Sequence, residues 1–514
     1  MSNHPTSAAT TSSGLVHLVG AGPGDPGLLT VRGRELLAHC DCVVYDYLVE
    51  PAIVALAPPS AVRHFVGKRG GRSSTPQADI NALLLRLAHE YRCIVRLKGG
   101  DPLLFGRGGE EATALASAGI RFTIVPGVTS GIAAPAYAGI PVTHRAHSSA
   151  VVFVTGHQQE EGLARTGAFA WSQVAHVETI VLYMGMHRLA ANCAAIIAAG
   201  RPGDTPAAAV QWGTRPEQRT VVGTLATLPE LVVAAGLGAP AITVIGNVVT
   251  AREHLRWFDD PTLRPLCGKR ILVTRARDQA SSLASALRDA GAAVTEAPLA
   301  RYALPTDTTA LDALIHATPS TDWLVFTSGN GVRLWWDRLR ACNLDARSVG
   351  HARLAVVGPA TARQLADYGL VADLVGGSDG ASLARALIDV GGASVVIPQA
   401  DNARPQLAAA LRAAGWRVTT AIAYVAEPLD PPAPPEEPFA GITLASAATV
   451  DRLVAAWGRD RLLAMTAAGC RLWAIGPVTA AQVLSHGLPV AAIAAEASVE
   501  ALVAAACNDV AGAG

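Results

Sequence analysis

The sequence predicts an α/β protein of two halves, and two observations lead to this prediction. Short runs of β-branched and apolar residues, such as LVHLVG at 15–20, alternate with Ala- and Leu-rich stretches of helical pattern. The alternation lapses at 257–269, WFDDPTLRPLCGK, before a new strand-like run begins with ILVTR. We therefore place the main boundary within 257–269, and the extents of the motifs described below set one half at 14–258, a linker at 259–265 and a second half at 266–510.

The composition narrows the class of protein. The chain has 514 residues, half of them apolar, which is enough for roughly two to four domains. Lys plus Arg equals Asp plus Glu at 41 each, so no overall charge favours a polyanionic partner. We therefore expect neither nucleic acid nor a membrane as a partner.

The cysteines and the N-terminal segment indicate the compartment. Eight cysteines lack the paired CxxC spacing of zinc or redox sites, so we predict reduced cysteines and no metal site. Residues 1–13 lack the charged and apolar regions of a signal peptide, and no apolar run reaches about 18 residues. We expect a cytoplasmic protein with a disordered segment over 1–13.

The first strand-like run leads into a glycine-rich loop, VGAGPGDPGLLT at 19–30. A dinucleotide fingerprint reads GxGxxG, but Asp25 holds the place of its third glycine, and Pro23 and Pro26 lack the N–H groups that phosphates need. Asp46 does stand where such a site has its ribose-binding acid, which leaves a dinucleotide-dependent oxidoreductase as an alternative. The loop better suits a ligand without phosphates.

Two more loops of this kind follow later strand-like runs. They read VRLKGGDPLLFGRGGEE at 95–111 and VPGVTSGIAAPAYAGIPVTHR at 125–145. Ligands of open α/β sheets bind beyond the carboxyl ends of the strands, where these loops would lie. We therefore expect the three loops to form one site.

These motifs, together with VVYDYLV, GKRGG, VTGH and YMG, carry a resemblance. Residues 14–258 resemble uroporphyrinogen-III C-methyltransferase, which uses S-adenosyl-L-methionine to make precorrin-2. The resemblance implies a tetrapyrrole-methylase-type fold of two α/β subdomains with the methyl donor between them, and a homodimer formed through this half. It also implies two methylations of uroporphyrinogen III, at C2 and C7, that supply sirohaem or cobalamin synthesis.

The resemblance also assigns roles to residues. Glycines would let the backbone approach the cofactor, Asp101 would accept from a ribose hydroxyl or ammonium, and Met184 would pack on adenine. The implied cofactor contacts are Pro23, Gly99, Gly100, Asp101, Leu104, Thr129, Ser130, Met184 and Gly213. Turn formation or packing explains Leu104 and Gly213 equally well.

Catalytic and substrate-binding residues follow from the same resemblance. Asp46 is the implied general base and Lys68 the implied proton donor. The substrate carries eight carboxylates, which arginine forks recognise, so Arg107 and Arg145 are candidate contacts with Glu110 as a support for an arginine. A relative that methylates a different carbon is an alternative.

The second half contains an internal repeat. FTSGNGV at 326–332 is followed by GPATA, and LASAATV at 444–450 by GPVTA, with 30 positions from Ser328 to Gly358 and again from Ser446 to Gly476. The repeat predicts two similar α/β lobes with a cleft between them.

The repeat motifs and AIAYVAE resemble those of uroporphyrinogen-III synthase, which cyclises hydroxymethylbilane. The resemblance implies a bilobal α/β fold whose linkers lie near 298–302 and 424–427, with an inner lobe over about 303–424. Tyr424 would assist the departure of hydroxide. The candidate carboxylate contacts are Thr327, Ser328, Thr361, Ser446 and Thr479.

Two alternatives concern this half. Helix N-capping is the alternative role of its Ser and Thr residues. A non-catalytic, tetrapyrrole-binding second half is the alternative to a synthase.

Overall fold

The computed structural model describes residues 14–67, 75–156, 170–275, 277–377, 379–429 and 438–512. The described chain divides into two compact units. The first contains the residues up to Lys269 and the short segments Leu287–Ala293 and 510–512, and the second contains Arg270–Ala286 and Val294–Asp509. Within the described ranges, no helix combines the length and apolarity needed to span a bilayer.

The first unit alternates strands with helices. In chain order its elements are β1 (Leu15–Gly20), α1 (Val31–Ala38), β2 (Cys42–Tyr45), α2 (Pro51–Val54), β3 (Val62–Phe65), α3 (Gln77–Glu90), β4 (Cys93–Lys98), α4 (Gly108–Ser117), β5 (Phe122–Val125), α5 (Ser130–Tyr137), β6 (Val151–Thr155), β7 (Thr179–Tyr183), α6 (Leu189–Ala198), β8 (Pro206–Gln211), β9 (Arg219–Thr224), α7 (Leu228–Ala234), β10 (Ala241–Ile245) and α8 (Arg252–Leu255).

These elements form two sheets. The first has the strand order β3-β2-β4-β1-β5, with every pair parallel. The second has the order β6-β7-β10-β8-β9 and is mixed, because β6 and β7 are parallel while the other pairs are antiparallel. Each sheet is the centre of one subdomain of the unit.

The first sheet is buried on both faces, as its apolar strands require. Val16 and Leu18 of β1 lie in the same cluster as Leu84 of α3, whereas Val19 lies in the cluster of Leu37 of α1. Helices therefore cover both faces, and the carboxyl edge of the sheet is left for its loops.

The second unit continues the alternation. Its elements are β11 (Arg270–Val273), α9 (Arg277–Asp289), β12 (Ala293–Glu296), β13 (Ala300–Ala303), α10 (Thr309–Ala317), β14 (Trp323–Phe326), α11 (Gly329–Ala341), β15 (Arg353–Val357), α12 (Gly358–Ala366), β16 (Leu374–Gly376), α13 (Gly380–Val390), β17 (Ser394–Ala400), α14 (Gln406–Ala413), β18 (Arg417–Pro428), β19 (Gly441–Leu444), α15 (Ala447–Trp457), α16 (Arg459–Ala467), β20 (Arg471–Ala474), α17 (Pro477–Ser485), β21 (Ala492–Ile493) and α18 (Val499–Ala511).

Short 3-10 helices complete the secondary structure of the two units. They span Pro26–Leu28, Trp171–Gln173, Met186–Arg188, Asn247–Ala251, Thr318–Ser320 and Ala346–Val349.

Two lobes make up the second unit. One is built on the sheet β12-β11-β19-β20-β21, and the other on the sheet β13-β18-β17-β14-β15-β16. The repeat motifs occupy matching places, since Ser328 is the N-cap of α11 after β14 and Ser446 is the N-cap of α15 after β19. The strand and helix alternation in both units confirms the predicted α/β class.

The predicted linkers of the second half fall on a two-stranded ribbon. β13 pairs antiparallel with the end of β18, and Tyr302 lies opposite Ala426. β18 is a long strand, and its first part pairs in parallel with β17. It therefore connects the ribbon to the remaining strands of the second of these sheets.

Candidate active sites

The three glycine-rich loops of the first unit lie side by side at the carboxyl edge of the parallel sheet. They follow β1, β4 and β5, and β1 pairs with both of the other strands. The Gly22 and Gly100 backbones exchange two hydrogen bonds, with Gly100 N donating to Gly22 O at 2.7 Å and Gly22 N to Gly100 O at 3.2 Å. Gly127 N of the third loop donates to Asp101 Oδ2 at 3.1 Å. The loops therefore form one junction.

Glycine is required at this junction because the backbones nearly touch. A Cβ on Gly20 would lie 2.5 Å from Gly127 Cα, and a Cβ on Gly127 would collide with Gly100 O. Gly100 also has a φ of +69°, in the left-handed region. The junction is consequently formed by closely packed backbone, without side chains between the loops.

Asp101 holds two of the loops. Its Oδ1 accepts from Leu103 N at 2.8 Å and from Leu104 N at 3.1 Å, and its Oδ2 accepts from Gly127 N. The Asp101 carboxylate thus holds the backbone of Leu104, and both residues are predicted cofactor contacts. Asp101 is half-buried and keeps acceptor capacity for a donor group on a ligand.

Asp25 is an anchor for the first loop. Its Oδ1 accepts from Gly27 N at 2.7 Å and its Oδ2 from the Tyr137 hydroxyl at 2.6 Å, while Asp25 N donates to Thr214 Oγ1 at 3.0 Å. These bonds place a carboxylate where a dinucleotide site has a glycine close to pyrophosphate. Pro23, a predicted cofactor contact, is half-buried just before this anchor.

The second subdomain contributes residues in strained backbone conformations. Met184, Trp212 and Thr214 have φ values of +54°, +49° and +73°, and Phe105 and Arg107 of the second loop have +53° and +59°. Left-handed backbone is unfavourable for side chains with a Cβ, and it concentrates at functional sites in proteins. Met184 is 54% exposed, so no packing of its own side chain explains the strain there.

Other predicted cofactor residues lie at contacts between the subdomains. The Tyr183 hydroxyl of β7 accepts from Gly131 N at 2.7 Å and bonds to Thr129 Oγ1 at 2.7 Å, at the start of the helix that Ser130 begins. A Cβ on Gly213 would collide with Ala134 of the same helix.

Gly99 is one of the positions of the middle loop where space is tight. A Cβ there would lie 2.7 Å from Leu48 Cβ, in the loop that follows β2. The middle loop therefore also meets the segment that carries Asp46.

Asp46 stands at the end of β2 beside a buried charged cluster. Its Oδ1 accepts from Leu48 N at 3.1 Å, and its Oδ2 lies 3.4 Å from Arg96 Nη1. Arg96 also contacts Glu111 Oε1 at 3.3 Å, and Lys98 Nζ contacts the same oxygen at 2.8 Å. Burial, with help from Arg96, lowers the pKa of the Lys98 amine, and Glu111 opposes this shift.

The sequence reasoning missed Arg96, Lys98 and Glu111. Two cations within an apolar strand of the sequence CIVRLK were the available signal, because buried cations require partners. The cluster orients Asp46 through Arg96.

The remaining predicted residues of the first half differ in their surroundings. Lys68 lies outside the described residues. Arg107 and Glu110 form an exposed two-bond pair, with Nε to Oε1 at 2.9 Å and Nη2 to Oε2 at 2.7 Å. Arg145 is exposed in the turn between α5 and β6.

A cavity of about 490 Å³ lies in the lobe of the second unit that contains β14 and β17. Its lining includes Thr327, Ser328, Gln399, Arg404 and Tyr424. Ser328 Oγ bonds to the Tyr424 hydroxyl at 2.7 Å and also accepts from Gly331 N as the cap of α11. Three predicted residues therefore share one cavity.

Burial raises the pKa of the Tyr424 phenol above its ordinary value, and the bond to Ser328 only partly opposes the shift. Its ring also packs edge-on against Tyr302, at 5.7 Å between ring centroids. The phenol therefore keeps its proton at neutral pH, as a hydrogen-bond donor must.

The other predicted hydroxyls of the second half divide into two kinds. Ser446 is a helix cap, since its Oγ accepts from Thr449 N at 3.2 Å. Thr361 and Thr479 are buried inside α12 and α17. The capping alternative is therefore wrong for these two threonines, because the glycine and proline of GPxTA already begin each helix.

Comparison with known proteins matches the two halves of the chain to two different families. Residues 15–229 match the family of Tetrapyrrole (Corrin/Porphyrin) Methylases, and residues 281–504 match Uroporphyrinogen-III synthase HemD. A uroporphyrinogen-III C-methyltransferase of Synechocystis sp. is 51% identical over 244 residues, which cover 47% of this chain and 92% of that protein. The chain belongs to the uroporphyrinogen-III C-methyltransferase family.

The chain is also similar to proteins that align over a longer part of it than the Synechocystis enzyme does. The Porphyrin biosynthesis protein HemD of Ruminiclostridium josui is 40% identical over 365 residues, which cover 70% of each chain. The uroporphyrin-III C-methyl transferase of Thermus thermophilus, solved with S-adenyl homocysteine, is 38% identical with a TM-score of 0.40, covering 46% of this chain and 93% of that one.

The chain spans about half the length of the siroheme synthases that it also matches. The comparisons confirm the two resemblances found in the sequence, a methyltransferase followed by a uroporphyrinogen-III synthase. They favour a methyltransferase over the dinucleotide-dependent oxidoreductase.

Proposed function

We propose that this chain carries out two consecutive reactions of tetrapyrrole synthesis. The second half cyclises hydroxymethylbilane to uroporphyrinogen III, and the first half methylates that product at C2 and C7 to give precorrin-2. The observation that carries the proposal is the junction of the three glycine-rich loops, which brings their backbones and the half-buried Asp101 carboxylate together at the carboxyl edge of the sheet.

The residues at the junction fit S-adenosylmethionine. Its amino acid and ribose provide ammonium and hydroxyl donors, which suit the acceptor Asp101, whereas carboxylates at Asp25 and Asp101 would oppose a pyrophosphate. Lys98, the cation next to the junction in sequence, is buried and paired with Glu111. The exposed side chain of Met184 supplies an apolar surface for the adenine ring.

When bound, S-adenosylmethionine supplies a methyl group already activated on a sulfonium. The protein therefore has to align a pyrrole carbon with the S–methyl bond, and this alignment is the main source of rate enhancement. Formation of the C–C bond returns the sulfur's electron pair and leaves the pyrrole cationic until it loses a proton. Asp46 is placed to accept that proton, held by Leu48 N and Arg96.

Substrate carboxylates need cations outside the methyl-transfer centre. Arg107 is exposed and held in a fixed orientation by Glu110, and Arg145 is exposed on the third loop. We assign both to carboxylate binding, since an arginine fork can donate N–H groups to two carboxylate oxygens at once. The proton-donor role of Lys68 stays a prediction from the resemblance.

In the second half, Tyr424 is placed to protonate the hydroxide that leaves hydroxymethylbilane. Its phenol is protonated at neutral pH and oriented by Ser328 at 2.7 Å. Thr327, Ser328 and the guanidinium of Arg404 line the same cavity and would hold carboxylates of the bilane. The cavity geometry supports a synthase over a module that only binds tetrapyrroles.

Ligand binding and a single substitution test the methyltransferase half. The intact chain should bind S-adenosylmethionine and not NAD in isothermal titration calorimetry. Asp46→Asn should lower the rate of methyl transfer to uroporphyrinogen III by about 10²- to 10⁴-fold, the usual contribution of a general base, with donor affinity unchanged. Binding of NAD alone would contradict the proposal.

Hydroxymethylbilane supplied alone tests the synthase half. The wild-type chain should yield the type III isomer, whereas Tyr424→Phe should yield mostly the type I isomer that forms spontaneously. Chromatography of the oxidised porphyrins separates the two isomers. Type I product from the wild-type chain would show a binding module instead.

Three further statements stay predictions from the sequence and the resemblance. They are the division into a methyltransferase over 14–258 and a synthase over 266–510, assembly as a homodimer through the first half, and a cytoplasmic location. Sedimentation of the purified chain would test the dimer.

A further inference from the structure

We propose that Tyr183, the last residue of β7, is a positioning residue of the methyltransferase half. Its hydroxyl would fix the residues that contact S-adenosylmethionine relative to one another, without contacting the donor itself. This inference rests on the proposed methyltransferase function and adds a residue to which none of the roles above is assigned.

The Tyr183 hydroxyl caps a helix that begins at the third glycine-rich loop. That helix, α5, starts at Ser130, and the side chain of its N-cap residue, Thr129, makes no capping hydrogen bond. Gly131 N, one of the N–H groups that the first helical turn leaves unpaired, instead donates to Tyr183 Oη at 2.7 Å. Thr129 Oγ1 bonds to the same oxygen at 2.7 Å. A strand of the second sheet therefore holds two predicted donor contacts, Thr129 and Ser130.

Tyr183 also determines where Met184 begins. Met184 follows it directly and has a φ of +54°, with a side chain that is 54% exposed. Tyr183 itself is only 7% exposed, and its hydroxyl is bonded to the start of α5. The hydroxyl therefore sets the separation between the predicted adenine surface at Met184 and the predicted contacts at Thr129 and Ser130.

The ring of Tyr183 contacts the middle glycine-rich loop. It packs against Phe105 at 4.9 Å and against Phe153 at 6.1 Å between ring centroids. Leu104, a predicted donor contact next to Phe105, packs against the same apolar cluster as Tyr183. A phenylalanine at position 183 would keep these ring contacts, so that substitution isolates the role of the hydroxyl.

The surroundings of the hydroxyl indicate positioning and not proton transfer. Burial raises the pKa of the Tyr183 phenol, and the bonds to Thr129 and Gly131 only partly oppose this shift. The phenol therefore stays neutral at neutral pH, with both of its contacts inside the protein. A neutral hydroxyl engaged in this way orients its neighbours and acts as neither acid nor base.

Gly131 shows how closely the helix approaches Tyr183. A Cβ at this position would lie 2.2 Å from Tyr183 Oη and 2.6 Å from Tyr183 Cζ. Alanine is otherwise favoured over glycine within a helix. A substitution at Gly131 therefore disturbs the same contact from its other side.

Tyr183→Phe in the full-length chain tests the role of the hydroxyl. The Kd of S-adenosylmethionine, measured by isothermal titration calorimetry, should rise by about tenfold, the effect of one lost buried hydrogen bond. The kcat at saturating donor and the KM for uroporphyrinogen III should stay within about twofold of wild type, because the lost bond concerns donor binding alone. Tyr91→Phe is the matched control, since this half-buried tyrosine precedes β4 at the opposite, amino edge of the first sheet.

Gly131→Ala provides the second variant, in case Tyr183→Phe folds poorly. It should also raise the Kd of S-adenosylmethionine, because the added Cβ displaces the tyrosine. An unchanged Kd in the folded variants, even with a lower melting temperature, would overturn the positioning role while the wild-type activity stands. A wild-type chain that binds no S-adenosylmethionine would overturn the proposed function and this inference together.

Discussion

Glu110 and Glu111 are adjacent in the sequence but have opposite surroundings. Glu110 forms an exposed pair with Arg107, whereas Glu111 is fully buried and accepts contacts from Arg96 and Lys98. Exposed pairs add little to stability because water screens them, while loss of one buried partner leaves an uncompensated charge.

Glu111→Gln should therefore destabilise the first unit by about 3–5 kcal/mol, because Lys98 would stay buried without its negative partner and Arg96 would keep only Asp46. Glu110→Gln is the matched control and should cost no more than about 1 kcal/mol. Hydrogen exchange of the β1 and β4 amides in urea measures the unfolding of this unit. Equal losses in the two variants would contradict the assigned burial of Glu111.

Met184 shows strain at a single residue. Its left-handed backbone costs roughly 1–2 kcal/mol. Because the side chain is exposed, its packing within the protein offsets little of that cost. Replacement by glycine removes the strain but adds entropy to the unfolded chain, at roughly 0.5–1 kcal/mol.

Met184→Gly should therefore leave the free energy of unfolding unchanged or raise it by up to about 1 kcal/mol. The Kd of S-adenosylmethionine should rise, because the apolar surface for adenine is lost. Calorimetric binding and thermal unfolding measure both effects. A destabilised variant with normal affinity would show that Met184 is only a packing residue.

At the scale of elements, the internal repeat provides an experiment within one chain. Ser328 and Ser446 cap equivalent helices, α11 and α15, and each accepts from a backbone N–H three residues on. Only Ser328 also bonds to Tyr424 and lines the cavity of about 490 Å³.

Ser328→Ala and Ser446→Ala should each cost about 1 kcal/mol of stability, the usual value of a serine N-cap. Ser328→Ala should also slow the cyclisation of hydroxymethylbilane and raise the share of the type I isomer. Ser446→Ala should affect cyclisation much less. The opposite order of the two rates would move the synthase site to the other lobe.

Strands, helices and glycine loops could be predicted because their signals are local. The apolar run at 15–20 forms β1 with its predicted bounds. The two serines that are equally spaced from their GPxTA motifs, Ser328 and Ser446, both begin helices in the structure. The sequence indicated that the glycine-rich loops lie close together, but not that Gly20 contacts Gly127, because that contact depends on strand order.

Contacts between residues distant in sequence could not be read from local pattern. The approach of Asp46 to Arg96 and the bond of Asp25 to Tyr137 depend on how the strands are arranged. Thr361 and Thr479 were expected to cap helices or bind carboxylates, and their burial inside α12 and α17 depends on tertiary packing.

At the scale of the whole molecule, the two units correspond to two consecutive reactions. The comparisons place a methyltransferase before a uroporphyrinogen-III synthase along the chain, and the product of the second is the proposed substrate of the first. Each unit carries its own cavity lined by predicted residues, Asp46 in one and Tyr424 in the other.

Incubation of the purified chain with hydroxymethylbilane and methyl-labelled S-adenosylmethionine, followed by identification of the product, tests both units at once. We expect precorrin-2 of the type III series carrying two labelled methyl groups. Unlabelled uroporphyrinogen I as the only product would contradict both assigned activities.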